Sequence, residues 1–122
     1  MHAAQQTNQP LMKATTIGTV LQLAMVVSGH YAPAIAQQFA VAGMGISAVA
    51  GYLFTRFAPP GALGKSAGGG AVSGGLCALI GILVSHFLGD VPATVIGFGT
   101  AGSAATGAIG GLIGNQLDPR RK

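Results

Sequence analysis

Of the 122 residues, half are hydrophobic and 21 are glycine, while only 7% carry a formal charge. A soluble domain carries about a quarter charged residues, so this chain cannot clothe a globule in water, and its wealth of apolar residues equally excludes a disordered chain. One cysteine excludes an intramolecular disulfide and any multi-cysteine zinc or iron–sulfur site.

The composition is that of a small integral membrane protein, and the spans can be taken in chain order. A bilayer core of about 30 Å asks for roughly 20 apolar residues in a helix. Residues 1–13 are polar and are expected to fray or lie at the interface, with His2 in water. The first span runs from about Ala14 to Ala32 and carries Thr15, Thr16 and Gln22; the second runs from about Ala34 to Phe54. Residues 55–66 form the only real linker, where Pro59-Pro60-Gly61 breaks any helix. The third span covers about Ala67 to Leu88 and the fourth about Val91 to Gly114. A polar tail, 115–122, follows, and Pro119 keeps it from continuing as helix. No span holds an acid, or a base other than histidine. The expected fold is all-α: a single transmembrane domain of four helices.

Charge placement orients these spans. All six Lys and Arg residues lie before the first span (Lys13), in the middle linker (Arg56, Lys65) or in the tail (Arg120, Arg121, Lys122). The other two connections have none, and Asp90 sits in the second of them. By the positive-inside rule both termini and the linker face the cytoplasm, as expected in a bacterial inner membrane. The net charge of +4 is therefore read as a topology determinant. No basic cluster is interleaved with aromatic residues, so nucleic acid is not an expected partner. A competing account makes Lys13, the Ile17–Val27 run and Ala34-Ile35-Ala36 a cleavable secretory signal, with a mature chain of three spans starting near Gln37.

An internal duplication favours four spans. One ungapped shift lays Pro33-Ala34 on Pro92-Ala93, Phe39 on Phe98, Ala42-Gly43 on Ala101-Gly102 and Gly51 on Gly110. A slightly shorter shift lays Gly18 on Gly75 and Val27-Ser28 on Val84-Ser85. Each copy has a histidine followed by an aromatic residue, His30-Tyr31 and His86-Phe87. Two tandem hairpins (about 14–54 and 67–114) predict a bundle with a pseudo-two-fold axis along the membrane normal.

Helices in lipid associate by close backbone approach at small residues. The second span offers Gly43, Ser47 and Gly51; the third offers Gly69, Ser73, Cys77, Gly81, Ser85 and Gly89. The fourth has two stripes, Gly99-Ser103-Gly107-Gly111 and Gly102-Thr106-Gly110-Gly114. Two stripes could serve two neighbours, one within the bundle and one on another subunit, or both could serve a single tight bundle. The run Gly-Ala-Ile-Gly-Gly-Leu-Ile-Gly-Asn-Gln (107–116) resembles the end of bacterial glycine-zipper two-span domains. The layout of the chain also resembles phage holins and the translocase-channel proteins of the mitochondrial inner membrane. None of these resemblances carries over a functional residue.

Histidine is the candidate for chemistry. His30 and His86, at equivalent outer ends of the odd spans, could ligate a haem, a pigment or a metal, or relay protons; the simpler reading places them in an interfacial aromatic belt with Tyr31 and Phe87. Asp90 and Asp118 fall on opposite sides of the membrane, so no carboxylate dyad forms. Lys65-Ser66 precedes Gly68-Gly69-Gly70, the reverse of a phosphate loop. The expected role is therefore non-catalytic and without a cofactor: a structural or accessory membrane subunit, or a homo-oligomer, whose partners are lipid, other membrane subunits or itself. The alternatives are an oligomeric pore or holin-like permeabiliser, with Thr100, Ser103 and Thr106 lining it, and a haem- or pigment-binding subunit.

Overall fold

A computed structural model describes residues 2–121, with side chains from residue 9 onward except those of Ala36 and Arg121. The expectations for the His2, Arg121 and Lys122 side chains lie outside this described set. The elements are α1 (His2–Tyr31), α2 (Pro33–Ala36), α3 (Phe39–Phe57), α4 (Leu63–Phe87), α5 (Thr94–Leu117) and a 3₁₀ turn (Pro119–Arg121). No strand occurs among the described residues. Four stretches are long and apolar enough to cross a membrane: Gln9–Tyr31, Phe39–Phe57, Leu63–Phe87 and Thr94–Leu117.

The boundaries differ from the sequence expectation in three places. The polar N-terminal segment is helical and continuous with the first span, because its alanines and glutamines are good helix formers. The second span is broken. Ala32 is extended, as a residue before proline prefers, Pro33 starts the single turn of α2, and helix resumes at Phe39 after Gln37-Gln38. The linker shrinks to residues 58–62, since Thr55, Arg56 and Phe57 finish α3 and Leu63 already starts α4.

At its C-terminal end α4 closes on a Schellman motif. The Gly89 N–H donates to the His86 carbonyl and the Asp90 N–H to the Ser85 carbonyl, with Gly89 at φ +82°. That turn is the one place where the backbone itself requires glycine, among the described residues.

Neighbours in the chain run antiparallel, which leaves α1 parallel to α4 and α3 parallel to α5. The helices form two triangles sharing an edge: α3 and α4 pack on each other, and each also packs on both α1 and α5. The outer corners, α1 and α5, make no comparable packing on one another among the described residues. A pseudo-two-fold axis exchanging the hairpins would map the α3–α4 contact onto α1–α5. The bundle therefore departs from the symmetric arrangement that the tandem repeat predicts.

Candidate functional site

The core of the bundle is backbone against backbone. A methyl group built on Gly107 would strike the Gly70 carbonyl oxygen and lie 3.0 Å from Gly74 Cα. One built on Gly51 would strike the Gly107 carbonyl, and one on Gly74 would lie 2.8 Å from Gly107 Cα. Thus α3, α4 and α5 converge on Gly107. Gly110 abuts the Ala48 carbonyl, Gly111 the Ser66 carbonyl, and Gly114 the side chain of Thr55 at 3.0 Å.

Both small stripes of α5 are consumed inside this one chain. Ser103, Gly107 and Gly111 face α4, while Gly102, Thr106, Gly110 and Gly114 face α3. The expectation that one stripe is free for another subunit is therefore corrected. With two helices packed against it, α5 has a use for each stripe.

Not every predicted packing glycine makes a close approach. Gly43 is buried, yet a methyl there would meet nothing nearer than Gln22 Oε1 at 3.6 Å; its carbonyl is what matters. Gly99 and Gly102 face the ends of flexible side chains, Ile82 Cδ1 at 2.6 Å and Met44 Cε at 2.7 Å. Gly81 faces Gln22 Cβ at 2.9 Å.

A polar hub sits where α1, α3 and α4 meet. Gln22 is only 3% exposed. Its Nε2 donates to the Gly43 carbonyl at 3.0 Å and to Ser47 Oγ at 3.3 Å, and approaches Cys77 Sγ at 3.8 Å. Ser47 Oγ and Cys77 Sγ both donate to the Gly74 carbonyl, at 3.0 and 3.3 Å. Thr106 Oγ1 likewise reaches the Met44 carbonyl, and Ser73 Oγ the Gly70 carbonyl of its own helix. With no water in the hydrocarbon, a buried polar side chain must find such partners or lose several kcal/mol, by rough estimate. Gln22, a polar residue within the first span, is thus the main interhelical donor of the hub.

The end of the bundle that holds the C-terminal tail is tied by Asn115, Asp118 and Arg120. Asn115 Nδ2 donates to the Gly61 carbonyl at 2.9 Å and to Ser66 Oγ at 2.7 Å. Arg120 grips Asp118 through Nε and Nη2 and spans to the carbonyls of Thr55, Arg56 and Ala58, so the tail locks onto the end of α3. The Arg120 hydrogen bonds hold the Asp118 carboxyl down at about 2, and Asp118 in turn raises the Arg120 guanidinium. Lys13 Nζ stands 6.0 Å from the Phe57 ring at this same end.

The opposite end of the bundle carries the two histidines in different roles. His30 Nδ1 pairs with the Asp90 carboxylate at 2.9 and 3.2 Å, whereas His86 Nδ1 lies 2.9 Å from the Val91 carbonyl. They do not share a site, and no group of three or more metal-ligating residues exists among the described residues. Each stacks near its aromatic neighbour, Tyr31 at 5.0 Å and Phe87 at 6.0 Å between ring centres.

Sequence reading missed Gly18, Phe54, Ser66, Gly70, Gly74 and Asn115. Gly18 meets Cys77 Sγ at 2.9 Å, and Gly69 is covered by the Phe54 ring. The signal for some of them was there: Ser66, Gly70, Gly74 and Ala78 are a stripe of the same small-residue spacing, one step round α4 from the stripe containing Cys77. No family model, curated protein or solved structure matches this chain.

Proposed function

We propose that the protein is a non-catalytic membrane subunit that works by helix packing, as a rigid four-helix block placed in a larger assembly or paired with its own copies. One observation carries this reading. The bundle ties its helices through Gln22, Ser47, Thr55 and Asn115 and closes at Gly107, leaving large apolar side chains such as Val20, Val41, Phe98 and Ile109 on its exterior. That exterior still bears small open positions: Gly45 on α3, Gly68 on α4, and Gly97, Ala101 and Ala105 on α5. Membrane helices associate through positions of this kind.

The pore reading is less favoured. Ser103 and Thr106 point into their own bundle, so an α5-lined channel between copies would lack them. The cofactor reading is weakened by the separate partners of His30 and His86. Arg56, Arg120 and Lys13 share one end of the bundle, which supports a single cytoplasmic face, and Gln22 in the core supports retention of the first span.

Gentle extraction followed by native mass spectrometry tests the proposal. The expected result is a multiple of 12.0 kDa or additional protein mass, lost in Ala101→Leu/Ala105→Leu. A lone 12.0 kDa species at native abundance, unchanged in Ala101→Leu/Ala105→Leu, overturns it.

A further inference from the structure

Above the polar hub the four long helices do not close. They surround a cavity of about 290 Å³ in the outer half of the bundle. Its walls are apolar, formed chiefly by Met25, Val26, Met44, Ile82 and Val95, and Gln22 also lines it. Gly43, Gly81 and Gly99 line it as well.

Two polar features break the apolar lining. Asp90 is the only lining residue with a formal charge. Its side chain is 23% exposed and is held by His30, itself 33% exposed, so the pair stands between outer water and the cavity. Ser85 is 2% exposed, lines the cavity, and its Oγ has no hydrogen-bond partner.

We propose that this cavity binds a small cationic amphiphile: an amine on an apolar alkyl or aryl body. The apolar part fills the space between Met25, Met44, Ile82 and Val95. The ammonium takes the Asp90 carboxylate from His30. An anionic guest would be repelled by Asp90, and a neutral apolar guest would leave that carboxylate unused. Size agrees, since an apolar cavity of about 150 Å³ takes a benzene ring, leaving room here for a ring with a short chain.

The test uses the full chain in phosphatidylcholine nanodiscs, with 4-phenylbutylammonium as probe and 4-phenylbutanol as its uncharged counterpart. Calorimetric titration is read against empty nanodiscs, and protection of Cys77 from maleimide reports that each variant is folded. The amine is expected to bind saturably and more tightly than the alcohol. Asp90→Asn should weaken amine binding by about tenfold and leave the alcohol unchanged. His30→Ala removes the competitor and should tighten the amine. Ala40→Phe, at an exposed wall position, should abolish saturable binding of both probes. The proposal is overturned if amine and alcohol bind alike, if Asp90→Asn leaves the amine unaffected, or if neither probe binds above empty nanodiscs. Should Asp90→Asn lose Cys77 protection, the wild-type comparison of amine with alcohol decides alone.

Discussion

One added methyl at Gly107 asks α4 and α5 to move apart. The new carbon would overlap the Gly70 carbonyl oxygen and lie 3.0 Å from Gly74 Cα and 3.1 Å from the Gly70 carbonyl carbon. These are backbone atoms of α4, so no rotamer change relieves the contact, and α5 must withdraw by on the order of 1 Å to restore ordinary separations. A gap of that size forfeits roughly a quarter to a half of the dispersion attraction of the facing atoms. Overpacking a close-packed core by one methyl costs about 1–3 kcal/mol, and the backbone position of this clash places Gly107→Ala at the upper end. Cys77 supplies the assay, because it is the only cysteine and is 0% exposed. In mixed micelles near neutral pH, its maleimide labelling follows opening of the bundle, and about 3 kcal/mol corresponds to roughly hundredfold faster labelling. Gly45→Ala is the control, since nothing lies within 4 Å of a methyl there, and it should label like the native chain. Equal labelling rates for Gly107→Ala and Gly45→Ala would refute the claim that Gly107 is where the bundle closes.

Other substitutions test the remaining links. Gln22→Leu keeps the volume but removes the donor to Gly43 and Ser47; membrane side-chain hydrogen bonds average about 0.6 kcal/mol, so a loss of about 1 kcal/mol and roughly fivefold faster Cys77 labelling are expected. Gly89→Ala meets no atom within 4 Å yet must hold φ +82°, so a cost of about 1 kcal/mol is expected as faster amide exchange around Leu88–Asp90, with Gly89→Asn milder. Asp118 is ionised down to about 2 in the folded chain, below the ordinary carboxylate value of about 3.9. Its contribution is thus complete above about pH 4 and is lost as pH falls through about 2. Amide exchange at residues 115–120 should accelerate over that window in the native chain, and Asp118→Asn should remove the pH dependence.

Much of the architecture is a property of composition and local order. Four apolar stretches, a break at Pro59-Pro60-Gly61, a stop at Pro119 and basic residues at alternate connections each depend on a few neighbouring residues and on the bilayer as solvent. For that reason the count of helices and their up-and-down order were legible from the chain alone, and so was the presence of small-residue stripes on the second, third and fourth spans.

Which stripe meets which helix was not legible. In α4 and α5, glycine, serine and alanine occur on several faces, so helical spacing offers more than one packing surface and cannot rank them. Only the crossing of three helices at Gly107 decides that both α5 stripes turn inward and that Gly70 and Gly74 belong to the same core. The same holds for polar groups. Gln22 becomes a hub because Gly43 and Ser47 of one helix and Cys77 of another come within reach of its amide. His30 finds Asp90 only because α1 and α4 lie parallel, bringing the last turn of one beside the turn that ends the other. Spans follow from the preference of each segment for lipid over water; partners follow from the geometry of close approach, which exists only once the helices are assembled.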